Sequence, residues 1–178
     1  GVNGIQYAIQ LHLVSCGTNA TSIGFISGGI SLMMLVGSLL AGKLSDKVPV
    51  GPTVCLAYLF ICLCVLPMTL TDSYWIMLVA NSFVGLPFPL INAMLLGFIF
   101  AKSPTSMQGR ITVTLTVPAQ VLSMFCSAVA GTLLPVFGFH GAVLVFLAVL
   151  VASAVLVICS RSIRSIPKAA QWEHTMLR

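Results

Sequence analysis

Charge is what this chain of 178 residues has least of. Asp, Glu, Lys and Arg together make up 6% of it, with three acids against eight bases. A soluble domain carries about a quarter of its residues as charges, so a water-exposed globular fold is excluded. The acids, Asp46, Asp72 and Glu173, are too few and too scattered for paired-carboxylate chemistry, and no H-E-x-x-H sequence occurs. The basic excess does not indicate nucleic acid, because the lysines and arginines punctuate apolar segments instead of lining one solvated face beside stacking aromatics. What is present is hydrocarbon: 58% of residues are hydrophobic and the mean hydropathy is +1.10.

The basic residues fall in three short stretches: Lys43 and Lys47, then Lys102 and Arg110, then Arg161, Arg164, Lys168 and Arg178. The intervening connectors, Ser15–Thr21, Thr71–Ser73 and Gly138–Gly141, have none. A bilayer core about 30 Å thick takes roughly 20 helical residues. Spans are expected near Val2–Val14, Ser22–Gly42, Val54–Leu70, Tyr74–Ala101, Ile111–Phe137 and Ala142–Ser160. If they alternate in direction, every basic residue lands on one face, and retention of positive flanks makes that face cytoplasmic. The expectation is a multi-pass protein of the cell membrane with a cytoplasmic C-terminus: a six-span bundle over 1–164 and a tail over 165–178. Val2–Val14 reaches only about 20 Å, so the first span reads as cut short. With Gly at position 1 and no signal-peptide pattern, the chain reads as a fragment that starts inside a helix.

Cys55, Cys62, Cys64, Cys126 and Cys159 lie inside apolar spans and read as small hydrophobes, and Cys62 and Cys64 point to different sides of a helix. No metal and no cofactor is expected. Asn19-Ala20-Thr21 is a glycosylation tripeptide close to the membrane, of the kind that also occurs by chance.

The spans group as three and three, with the Asp72 turn in the middle, which is the organisation of inverted triplet repeats. Gly24, Gly28 and Ser31, then Gly37 and Ala41, are spaced for close helix approach. Pro87, Pro89 and Pro118 interrupt spans, and the carbonyls they free must face protein or a cavity. The fourth and fifth spans are therefore expected inside the protein, with structural kinks and gating hinges both open as readings.

Polar side chains mark a candidate substrate path. Asn3, Gln6 and Gln10 share a face of the first span, with Tyr7 beside them. Asn81 and Asn92 lie near one stripe of the fourth, and Thr112, Thr116, Gln120, Ser123 and Ser127 form a stripe on the fifth. For Gln6, Gln10, Asn81, Asn92 and Gln120 a water-accessible cavity is the preferred reading; interhelical hydrogen bonding is the competing one. His12 is the one ionisable side chain clearly within a span. It reads as an interfacial histidine, and any proton-coupling group would otherwise lie elsewhere.

Gly42-Lys43-Leu44-Ser45-Asp46-Lys47 resembles the G-x-L-x-D-R/K signature of the major facilitator superfamily, although Val50, Gly51 and Pro52 stand where its later basic pair belongs. Pro104 through Gly109 and Arg110, followed by the Thr/Ser-rich span, Ala130-Gly131 and Phe137-Gly138, is similar to the connector and eleventh helix of that superfamily's drug and macrolide exporters. The resemblance covers Gly1 to about Arg164 and fits the C-terminal six-helix half of a twelve-helix fold. It implies packing at Gly42, a state-stabilising contact at Asp46, and conformational roles for Lys47, Gly109 and Arg110.

The implied fold is an all-α membrane protein: six transmembrane helices as two three-helix repeats, half of a twelve-helix facilitator fold. The implied function is secondary active transport, exporting a small amphiphilic compound or drug by alternating access, with multidrug resistance as its setting. Its partners are the substrate, the bilayer and an N-terminal six-helix half. A self-contained six-span channel or an oligomeric scaffold is the alternative. An intramembrane serine protease is rejected: Gly24-Phe25-Ile26-Ser27-Gly28 misspaces the expected G-x-S-G, and the sixth span has no histidine.

Overall fold

The computed structural model describes residues 1–44 and 48–160, apart from the side chains of Lys102 and Thr105. Asp46, Lys47 and the tail lie outside the described residues. Apolar runs give helices throughout: α1 (Val2–Ser15), α2 (Ala20–Leu44), α3 (Val50–Val65, continued by a 3-10 turn Leu66–Thr69), α4 (Tyr74–Gly85), α5 (Phe88–Lys102) and α6 (Gln108–Cys159). No strand occurs among the described residues. Among the described residues four helical stretches are long and apolar enough to cross a membrane: Ala20–Leu44, Val50–Thr69, Tyr74–Ala101 and Gln108–Cys159.

The last stretch has 52 residues, which at about 1.5 Å per residue is far longer than a bilayer core of about 30 Å. Gly138 divides it. Its φ of 69° and ψ of −178° belong to a region that is essentially glycine's alone, and the chain folds there into two limbs, 108–137 and 139–159. The expected connector Gly138–Gly141 is thus a single residue, and the helix resumes at Phe139.

Neighbouring contacts fix the directions. α1 packs on both limbs of α6. Asn3 reaches Ser123 in the first limb, and Leu11 and Val14 share a groove with Leu134 and Pro135, so α1 and that limb are parallel. Gly1 faces Leu150 and Gly4 faces Phe146, while His12 stacks on Phe139, so α1 is antiparallel to the second limb. The two limbs therefore run in opposite directions. α2 and α4 run parallel: the Tyr74 hydroxyl donates to the Ser22 carbonyl at 2.8 Å, the Asn81 amide to Ile26 at 3.5 Å, and Gly85 sits against Ile30.

The core is apolar and continuous, joining Ile5, Ile9 and Leu13 of α1 with Ile26, Val54, Ile61, Met77, Met94, Val143 and Phe146. Gly37 and Ala41 of α2 are also buried. A Cβ at Gly37 would overlap the Leu86 carbonyl oxygen, so backbone meets backbone there. The other expected small-residue stripe differs. Gly24 and Gly28 are exposed with open space beside them, because α2 turns its Ile26–Ile30 side to α4 and leaves these two on a groove rim. Nor does the fifth span lie inside. Along the first limb of α6 only Ala130 is buried, and Pro118 is exposed. The fourth span does: Pro87 is buried at the break between α4 and α5.

Candidate substrate site

A cavity of about 320 Å³ opens between α1, α2, α3, α5 and the second limb of α6. Its wall is Ile30 and Met34 from α2, Tyr58 and Ile61 from α3, Phe88, Ile91 and Asn92 from α5, and Leu150, closed on one side by Asn3 and Gln6 of α1. The position follows from the numbering. Residues 30–34, 58–61, 88–92 and 150 lie near the middle of Ala20–Leu44, Val50–Thr69, Tyr74–Ala101 and the 139–159 limb. The cavity therefore sits at half depth in the bundle.

Its chemistry is mixed and uncharged. Three amides, Asn3, Gln6 and Asn92, and the Tyr58 phenol supply donors and acceptors, while isoleucines, Met34 and Phe88 supply apolar surface. No Asp, Glu, Lys, Arg or His is among the lining residues. A pocket of this kind orients a ligand by a few polar groups and holds it by contact with hydrocarbon.

The other path candidates have different surroundings. Gln10 donates to Ser27 Oγ at 3.3 Å, linking α1 to α2. Asn81 is buried and reaches only the Ile26 carbonyl. Gln120 is exposed on the first limb. The hydroxyls of its stripe are turned back on their own helix, Thr112 to Gln108, Thr116 to Thr112 and Ser127 to Met124, while Ser123 accepts from Asn3 at 3.0 Å. The structure thus gathers Gln6 and Asn92 and leaves Gln10, Asn81 and Gln120 elsewhere. Tyr58, Met34 and Phe88 were not singled out from the sequence. A tyrosine within an otherwise apolar span was the available signal.

At the signature positions, Gly42 is exposed with nothing within 4 Å of a built Cβ, so it mediates no close packing among the described residues. Gly109 is equally open. Arg110 is exposed in the first turn of α6, at the end where Gln108 Nε2 donates to the Phe100 carbonyl at 3.2 Å. Of the hinge candidates, Pro87 caps α5 and Pro89 lies in its first turn, whereas Pro118 lies inside a continuous helix.

A multi-pass apolar bundle with an uncharged mid-depth cavity is the architecture of a membrane carrier. The chain matches the family model of the Major Facilitator Superfamily over residues 1–176. It belongs to that superfamily, and so is a membrane transporter. Comparison with curated proteins and with solved structures gave no match.

Proposed function

We propose that this chain forms one six-span bundle, two triplets of helices, of a secondary active transporter that exports a small, amphiphilic, uncharged or weakly polar compound by alternating access. The observation that carries the reading is the cavity at half depth, where Gln6 and Asn92 converge on an apolar wall. Carriers of this kind bind at the midplane and expose the site to either side by rocking one bundle against another. The six spans are α1, α2, α3, α4 with α5, and the two limbs of α6.

A companion bundle of six spans is part of the proposal. The exposed face of the first limb, with Thr116, Gln120 and Ser127, suits a partner, because polar groups are costly against lipid. Lys43 and Arg110 lie at the end of the bundle away from Asp72, which supports a cytoplasmic location for the basic connectors and the C-terminus in the cell membrane. A channel or oligomeric scaffold would use the same exposed face for copies of itself.

The test is flux of amphiphilic dyes through the full-length protein in liposomes. Wild type should exceed empty liposomes, and Gln6→Leu and Asn92→Leu should each weaken apparent affinity by roughly five- to tenfold, as expected for one lost buried hydrogen bond. Unaltered affinity in both variants would remove the cavity from the path. Flux that is passive and non-saturable would favour the channel.

A further inference from the structure

The two histidines and the one acid among the described residues meet at one end of the bundle, where none of the described lysines and arginines lies. His12 Nε2 lies 3.8 Å and His140 Nε2 3.6 Å from the same oxygen of Asp72, Oδ1. These residues come from three separate elements: the last turn of α1, the Thr71–Ser73 connector and the start of the second limb of α6. His12 is held in place by stacking on Phe139, at 4.3 Å and 22°. Its side chain is 20% exposed, against 43% for His140 and 59% for Asp72.

We infer that His12, Asp72 and His140 form a proton-operated clasp that joins these three elements and closes as the pH on that face falls through the range in which imidazoles charge. With a neutral imidazole the contact is a weak polar one. A proton on either ring makes it an ion pair, and histidine is the side chain whose ordinary titration falls within about pH 5–8. An ionised carboxylate attracts an imidazolium beside it and has no such pull on a neutral imidazole. The sign is therefore fixed: acid closes the clasp and alkali releases it.

Among the described residues no other charged group competes. Of the neighbouring elements, α1 adds Cys16, whose sulfur is 3.8 Å from His12 Nε2. Asn19 and Thr21, before and in the first turn of α2, are neutral, and the Tyr74 hydroxyl of α4 is committed to Ser22. The 3-10 turn Leu66–Thr69 has no ionisable side chain. Lys43 and Arg110 occupy the opposite end, α2 and the first limb away. The clasp would fix the end of α1 against the second limb and give transport a dependence on pH at that face.

Backbone amide exchange of the full-length protein in lipid nanodiscs tests this at pH 5.5 and 8.0, reading residues 71–73 and 138–141. Comparing wild type with variant at the same pH cancels the intrinsic pH dependence of exchange. At pH 5.5 Asp72→Asn should exchange roughly two- to fivefold faster than wild type, the range set by an exposed ion pair. At pH 8.0 the two should agree. His140→Gln should give part of the loss, since His12 still reaches Asp72, and the double variant should not exceed Asp72→Asn, as residues of one contact behave. A ratio that is the same at both pH values, or additive effects in the double variant, would overturn the clasp.

Discussion

At the scale of single residues, burial alone does not say which polar group matters. Asn81 is 2% exposed, yet its one bond, 3.5 Å to a carbonyl, is at the long limit for a hydrogen bond. The Ile26 carbonyl also serves the α2 ladder, so removing the amide orphans nothing. Asn81→Leu should therefore change stability by less than about 1 kcal/mol, read as a Tm within a few degrees of wild type. Gly37 is the contrasting case. A methyl there meets the Leu86 carbonyl oxygen, a backbone atom that cannot rotate away, and Gly37→Ala should cost about 1–3 kcal/mol. A thermal shift assay in detergent decides both, and a neutral Gly37→Ala would mean that α2 and the break between α4 and α5 are less closely packed than described. Sequence placed Gly37 and Ala41 on a contact face and placed Gly24 and Gly28 on one too. It could not separate them, since small-residue spacing gives the rotation of a stripe and not which neighbour covers it. The same ambiguity held for the amides: Gln6, Gln10, Asn81, Asn92 and Gln120 all read as path candidates, because polarity within an apolar run is equally required by a cavity and by an interhelical bond.

At the scale of elements, the apolar runs were legible nearly to their ends, because a bilayer leaves the backbone no alternative to helix. The breaks were less so. Pro87, Pro89 and Pro118 carry the same chemistry but stand in different places. Pro87 and Pro89 start α5, where the missing N–H groups have no intrahelical acceptor to lose. Pro118 interrupts the ladder of the first limb, where Thr114 already bonds the Arg110 carbonyl. That distinction depends on where a new helix begins, which hydropathy does not reveal. Gly138 is the decisive break, and its backbone angles exclude a side chain at a cost of about 1–3 kcal/mol. Gly138→Ala should lower stability by that amount and loosen His140 from Asp72, while Gly131→Ala, with open space at its Cβ, should not. Equal stability for the two variants would mean that the turn between the limbs does not depend on Gly138.

At the scale of the whole molecule, the run of charge read from the sequence makes a topological prediction that hydropathy cannot make alone. Ser73→Cys, exposed beside Asp72, should react with an impermeant maleimide on intact cells. Ser106→Cys, exposed between α5 and α6, should react only after permeabilisation. The reverse pattern would invert the orientation and place the histidine cluster inside. The superfamily membership rests on the match over 1–176, and the mid-depth cavity is the site proposed for it. The proposed alternating access requires that one residue of the cavity face both sides in turn. Asn92 suits the measurement, being a lining residue that is not buried. In the full-length protein with its native cysteines replaced by serine, Asn92→Cys should be labelled by an impermeant thiol reagent from either side of the membrane. Locking the protein open to one side should abolish labelling from the other. Labelling from one side only under every condition, or from both sides at once, would contradict a carrier built around this cavity.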